Sequence, residues 1–376
     1  MSTDSTRGSV TFGGMDTVRT RGLRSGIIGL GFIGEVHARA VTAAGGTLAA
    51  VAGSSAQGIG QRADQLGAAS AMASAEQLID SPDVDVVHIC TPNDVHAELA
   101  KAALAAGKHV ICEKPLATTL ADAQDLAMLA EQAGLVAAVP FAYRYYPLVR
   151  EVRERVRGDE INIISGSYLQ DWMSLPEDTS WRVDPDRGGA SRTFADIGVH
   201  WCDLVEFVTG HRIVAVTAQM KTALPNRDTE DAAALLFRTD AGAIGSAVVS
   251  QISQGRKNEL RFLIDGAERS YAFQQESPDE LWVGGRHTVE VLKRGVGQLG
   301  ADATRLSVLP AGHPQGYQDC FNAFVADVYA TAQGATFEGM PTFADGLRAA
   351  HLTDAVLRSE ASGAWVEVPA PVSATR

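Results

Sequence analysis

The chain has 376 residues, 45% hydrophobic and 20% charged, with a net charge of -13. That length exceeds one compact core and reads as two domains. The acidity excludes a nucleic-acid or anionic-membrane partner, because phosphate neutralisation needs a basic surface, and no apolar run reaches the roughly 18 residues that a membrane helix requires.

Taken in chain order, residues 1–22 are polar and rich in Gly, Ser and Thr, without an apolar signal core. They read as a disordered leader, with Met15 as an alternative start, and they leave a cytoplasmic location as the expectation. From 23 to 142, short apolar runs alternate with Ala-rich helical stretches. Strands are predicted over 23–28, 48–52, 84–90, 109–112 and 135–141, and helices over 34–44, 59–66, 75–79, 95–106 and 120–133. Strands separated by helices of this length make βαβ units, hence a doubly wound parallel sheet.

The stretch GIIGLGFIGEVHA, residues 26–38, carries the first chemical signal. Gly29, Gly31 and Gly34 leave a predicted strand and open a predicted helix, with Phe32 and Ile33 completing the turn. The first glycine permits the tight turn, the second lets the backbone approach a pyrophosphate, and the third lets helix and strand pack closely. On this motif alone, a purely structural strand–helix turn stays open. The end of the second strand offers Gly53, Ser54 and Ser55 with neither an acid nor an adjacent arginine, so NAD and NADP are both admitted. Thr91, Pro92 and Asn93 end the next strand and His96 opens the following helix, at the rim where open α/β sheets bind ligands. Asp94 reads as a helix cap. Glu113, Lys114 and Pro115 end the strand after that and add a charged pair to the same rim.

Beyond about residue 145 the texture changes. Strands are predicted over 161–169, 213–220, 231–238, 243–251, 259–264 and 270–273 with few helices between them, which implies a large, mainly antiparallel open sheet. Helices are predicted near 199–208 and 320–332, and a last one over 343–358 that can pack on either domain. In the stretch WRVDPDRGGASRTFADIGVHWCD, a helix would put Asp196, His200 and Asp203 on one face at i, i+4 and i+7. A carboxylate four residues from a histidine can orient it for proton transfer. The other readings are an Asp196 cap with a core histidine, and a metal site, for which no further His/Glu cluster is available. No metal is therefore expected. Trp172, Trp181 and Arg182 are candidates for a ligand-binding wall, with core or interface tryptophans as the alternative. The four cysteines, Cys90, Cys112, Cys202 and Cys320, form no CxxC pair and read as reduced thiols.

GLGFIG, TPNDVH, EKP and GG…DIGVHWCD occur in this order in a way that resembles the glucose–fructose oxidoreductase/inositol dehydrogenase/rhizopine-catabolism family over residues 23 to about 368. The resemblance implies a Rossmann domain over 23–142 carrying NAD or NADP, and a substrate and oligomerisation domain over 143–376. It further implies a homodimer or homotetramer and redox chemistry on one hydroxyl of a sugar or polyol. It would put Lys114 between nicotinamide and substrate, with Asp196 and His200 approaching from the other domain. FAYRYYP is similar to the family's exit segment, with Tyr143 and Arg144 as substrate candidates, and Ala142 where asparagine is common departs from the pattern that would give them that role. YLQDWMS and SWRVDP look most like sugar dehydrogenases acting on pyranose or anhydrosugar rings. Alternatives are an inositol dehydrogenase, a reductase with tightly bound cofactor, and a non-catalytic NAD(P)-binding sensor.

Overall fold

The computed structural model describes residues 22–53 and 58–370; the expected leader, Ser54 and Ser55 lie outside the described residues. The first sheet is built from β1 (Arg24–Ile28), β2 (Thr47–Ala52), β3 (Ser70–Met72), β4 (Val86–Ile89), β5 (His109–Cys112) and β6 (Ala137–Ala138). Its order is β3-β2-β1-β4-β5-β6, with every pairing parallel. Helices α1 (Phe32–Ala43), α2 (Ile59–Leu66), α3 (Ala75–Ile79), α4 (His96–Ala105) and α5 (Leu120–Ala133) connect the strands. All four residues of β4, VVHI, are buried, as expected where helices cover both faces of a parallel sheet. The Thr119 side chain caps α5 and Gly134 ends it in the left-handed conformation. Asp94 does not cap α4; the helix starts after Val95 without a side-chain cap, because a turn of 3₁₀ helix intervenes.

The second sheet contains β7 (Ile161–Leu169), β8 (Ile213–Lys221), β9 (Ala232–Thr239), β10 (Ile244–Ser250), β11 (Glu259–Gly266), β12 (Arg269–Gln274), β13 (Glu280–Gly285), β14 (Val289–Lys293) and β15 (Val366–Glu367). Their order is β14-β13-β12-β11-β7-β10-β9-β8-β15, and only β7 with β10 is parallel among the described pairings. Strands β3, β13 and β14 are not expected from the sequence: β3 has three residues, β14 carries Val289 and Val291 exposed, and β13 turns Leu281 and Val283 inward with Trp282 out. Helices α6 (Pro147–Arg155), α7 (Pro185–Gly188), α8 (Val199–Thr209), α9 (Ala301–Leu306), α10 (Tyr317–Ala332) and α11 (Phe343–Ser362) complete the fold. On β9, Ala233, Leu235 and Phe237 point inward, and Phe237 meets the ring of Trp201 on α8, while Leu236 points out.

Two late helices return to the first sheet. Gln318 of α10 donates to the carbonyl of Val36 on α1 at 3.1 Å, and Tyr329 reaches Ser25 of β1. Helix α11 packs along α5. The long excursion between β7 and β8 lies against the carboxyl ends of the parallel strands, and it carries most of the candidate chemistry.

Candidate active site

The glycine turn has three different jobs. Gly29 has φ +95°, and a Cβ there would meet the Cys90 carbonyl at 2.4 Å; a Cβ on Gly34 would meet the Gly29 carbonyl at 2.2 Å. Both glycines are required by close backbone packing. At Gly31 a Cβ would meet nothing within 4 Å. Gly31 starts α1 with no side-chain cap, and Phe32 beside it is exposed. An open cradle in front of uncapped helix amides fits a nucleotide diphosphate.

At the rim, the structure separates residues that face this cradle from residues that support it. The Thr91 hydroxyl is buried without a partner, and Pro92 is partly exposed. Asn93 is buried and donates Nδ2 to the Gly188 carbonyl of the other domain at 2.9 Å. His96, expected at the cofactor, is fully buried instead, with Nδ1 2.8 Å from the Pro115 carbonyl and Nε2 3.0 Å from the Thr91 carbonyl. Its ring braces the two strand-end loops from beneath, because the first turn of α4 points it inward. Glu113 is likewise turned inward: Oε1 lies 3.1 Å from Nε2 of His37, and Oε2 accepts the Lys114 amide at 3.2 Å. From there a buried chain runs through His37 Nδ1 to His88 Nδ1 at 2.9 Å, then His88 Nε2 to the Tyr329 hydroxyl at 3.1 Å, and on to Ser25. The histidine at the end of GIIGLGFIGEVHA is thus part of the floor under Glu113.

Lys114 crosses the gap between domains. Its Nζ donates to Asp196 Oδ1 at 2.6 Å and to the Asp196 carbonyl at 3.0 Å. Asp196 sits in a π-helical turn, Phe194–Gly198, that widens the helix just before α8. Such a turn alters the spacing that an uninterrupted α-helix would give. The carboxylate is taken by Lys114 on Oδ1 and by Gln251, whose Nε2 donates to Oδ2 at 2.7 Å; Arg182 Nε stands 3.5 Å from Oδ1. The expectation that Asp196 orients His200 by a hydrogen bond is therefore corrected. His200 Nδ1 is buried without a partner, and its ring is held edge-on by Phe141 and Tyr143 at 5.6 and 5.1 Å between centroids. Nε2 is the nitrogen left to meet a ligand.

Asp203 leaves the group altogether. Arg144 clamps both of its oxygens, Nε to Oδ2 at 2.8 Å, and also donates to Asp345 at 2.7 Å. The three residues once aligned on a helix face do not converge, and among the described residues no His/Cys/Asp/Glu cluster could hold a metal. Tyr143, a substrate candidate, is buried and bonds the Tyr168 hydroxyl, so its role is to wall the His200 ring. Arg182 lies over the rings of Trp181 at 4.3 Å and Trp172 at 5.9 Å, joining the aromatic pair to Asp196. Gln251 went unrecognised in the sequence; its only signal is a polar residue ending the apolar run AVVSQ.

Burial would push the Asp196 carboxyl up, but the charges of Lys114 and Arg182 and the Lys114 hydrogen bond outweigh it, leaving it below the ordinary carboxylate range. Burial, with the Lys114 charge second, pulls His200 well below the ordinary imidazole range against the opposing pull of Asp196. The site thus sets the Lys114–Asp196 pair beside an imidazole that burial holds toward its uncharged form.

Two family models match the sequence: the oxidoreductase family with an NAD-binding Rossmann fold, GFO/IDH/MocA, over residues 23–141, and the GFO/IDH/MocA C-terminal domain over 149–272. The chain is 31% identical to levoglucosan dehydrogenase of Pseudarthrobacter phenanthrenivorans, over 92% of this chain and 98% of that protein. It is 35% identical to 1,5-anhydro-D-fructose reductase of Ensifer adhaerens over 49% of this chain and 56% of that one. Among solved structures, levoglucosan dehydrogenase in complex with NADH and levoglucosan superposes with a TM-score of 0.87 at 31% identity, covering 93% of this chain and all (100%) of that one. An inositol dehydrogenase homologue complexed with NAD+ from Azotobacter vinelandii gives a TM-score of 0.85 at 26% identity, covering 92% and 97%.

Proposed function

Because this chain belongs to the GFO/IDH/MocA oxidoreductase family, whose Rossmann domain binds NAD, we propose that it oxidises or reduces a single secondary hydroxyl of a pyranose or anhydrosugar. The observation that carries the reading is the Lys114–Asp196 contact across the two domains, with His200 in the same cleft. The Gly31 cradle would hold the diphosphate of NAD, and the cofactor would supply the hydride acceptor or donor at C4 of its nicotinamide.

The chain's own groups handle position and protons. An ammonium has three N–H donors. Lys114 places two of them on Asp196, which leaves one for the reacting oxygen, where it stabilises developing negative charge. Neutral His200 takes the hydroxyl proton on Nε2 in the oxidative direction. Asp196 favours the resulting imidazolium by its charge and not by a hydrogen bond. Trp172, Trp181 and Arg182 form the wall for the sugar, an apolar face stacking on the rings and hydroxyls meeting the guanidinium. The similarity to levoglucosan dehydrogenase over nearly the whole chain favours a ring sugar over an inositol.

On the outer face of the second sheet, Ile163, Leu236, Ile244 and Val248, from the adjacent strands β7, β9 and β10, are exposed. A second copy covering this face would make the homodimer or homotetramer, since contiguous apolar patches of this kind mark interaction surfaces. Four buried free cysteines suit a reducing cytoplasm. The test is NADH or NADPH formation by the purified protein with levoglucosan, glucose, xylose, 1,5-anhydroglucitol and myo-inositol. Turnover on a ring sugar is expected. Turnover on myo-inositol alone would overturn the substrate class, and dinucleotide binding without any turnover would overturn the reaction.

A further inference from the structure

Gln251 follows β10 and has no exposure at all, 0%. Its amide is held from both ends. Oε1 accepts from Arg192 Nη1 at 3.2 Å, while Nε2 donates to Asp196 Oδ2 at 2.7 Å; the Thr193 hydroxyl stands 3.3 Å from Oε1 but gives its one proton to the Glu230 carbonyl at 2.8 Å. A guanidinium, which can only donate, at one end and a carboxylate, which accepts, at the other fix which way the amide points: the NH₂ group must face Asp196.

The residues behind Gln251 are themselves immobilised. Arg192 is buried, paired with Asp231, and donates Nη2 to the Glu230 carbonyl at 3.0 Å. The Glu230 carboxylate accepts the amides of Arg192 at 3.0 Å and Phe194 at 2.8 Å, and the Ser191 hydroxyl at 2.8 Å. The turn that carries Asp196 and the strand end that carries Gln251 are thereby joined as one block. This is a dense set of buried polar groups, costly to bury, and the Gln251 amide nitrogen aims it at the carboxylate that grips Lys114.

We propose that Gln251 is a positioning residue for hydride transfer: by occupying Asp196 Oδ2 it turns Oδ1 toward Lys114 and denies the carboxylate to His200. The inference rests on the assignment of Lys114, Asp196 and His200 as the reacting site. The charged and titratable groups facing Asp196 are Lys114 from the end of β5, Arg182 from the loop before α7, His200 from α8, Tyr143 from the segment before α6 and Tyr168 from β7, with Tyr143 also packed on the His200 ring. Those facing Gln251 are Arg192, Asp231 and Glu230 from the block just described. Without the amide, Asp196 can rotate and bring a carboxylate oxygen to His200, which lengthens the Lys114 contact and ties up the proton acceptor.

Gln251→Met keeps the volume and removes the donor. In the apoenzyme, the NMR titration of the His200 ring is expected to move upward by about one unit or more, because a nearby carboxylate favours the charged ring. With NAD and levoglucosan as the probe, kcat is expected to fall roughly 10- to 100-fold, since small misplacements at a reacting centre cost that much, with the KM for NAD within about threefold. Gln251→Glu supplies a second variant: it sets a carboxylate against Asp196, and its NADH-forming rate relative to wild type should rise as pH is lowered and the new acid regains a proton to donate. A merely structural amide would leave the His200 titration in place and the rate ratio flat with pH, and that result overturns the inference. Wild-type protein that binds NADH but turns over no sugar would instead remove the reading it rests on, while the His200 titration would still report on the Gln251–Asp196–His200 coupling.

Discussion

Replacing Lys114 with methionine separates structure from chemistry when it is combined with a change at Asp196. The ammonium and carboxylate meet at 2.6 Å with side-chain exposures of 13% and 15%. Removing one partner of a well-buried pair costs about 3–5 kcal/mol; here Gln251 and Arg182 still face the orphaned carboxylate, so Lys114→Met should lose about 2–3 kcal/mol of stability. The double variant Lys114→Met/Asp196→Asn removes both charges of the buried pair, leaving only the Arg182 guanidinium, 33% exposed, without its carboxylate, and its amide can still accept from Gln251, so urea unfolding should recover most of that loss. Turnover should not recover. Loss of a donor aimed at developing negative charge costs roughly 100- to 1,000-fold in kcat, and both variants should show it with the dissociation constant for NADH within about threefold. Urea midpoints, NADH fluorescence titration and kcat on the best sugar substrate make the measurement. Recovery of kcat alongside stability in the double variant would refute the role given to Lys114.

The glycine turn gives a contrast within one motif. Gly31→Ala should fold as stably as wild type, because a Cβ meets nothing there, yet its affinity for NAD should drop about tenfold or more through intrusion on the diphosphate cradle. Gly34→Ala should lose several kcal/mol by thermal or urea unfolding, about 3 or more, since the new Cβ overlaps the Gly29 carbonyl. Arg144→Met leaves Asp203 buried and unpaired and should cost about 3–5 kcal/mol in urea, while surviving folded protein keeps its KM for sugar; a selective rise in that KM would return Arg144 to the substrate site. Burial holds His88, His96 and His200 below the ordinary imidazole range, so these three rings bind fewer protons folded than unfolded, and they outnumber Asp203, which burial pushes up to about 6 and which acts in the opposite sense. Stability is full above the unfolded pKa, about 6.5, and falls as pH drops below it; a Tm series from about pH 7.5 to 5.5 that rises on acidification would contradict this.

Some of this molecule was written locally in the chain. The glycine spacing, the alternation of strand and helix up to about residue 142 and the run of strands afterwards are set by backbone conformation and by burial period, which neighbouring residues report. EKP and the DIGVH segment pointed to chemistry for the same reason: charged groups directly after buried strands or inside apolar helices are seldom idle. Partnership was not legible. Lys114 meets Asp196 across 82 positions of sequence and Gln251 meets it across 55, and no local pattern encodes such distances. His96, Glu113 and Tyr143 face inward where the motif suggested outward, because which side of a loop is buried depends on what packs beneath it. The helical spacing of Asp196, His200 and Asp203 assumed a regular α-helix, and one π-helical turn together with Arg144 broke the set apart. Backbone periodicity is a property of adjacent residues, whereas the hydrogen-bond partners that tune a side chain are chosen by the packing of the whole chain.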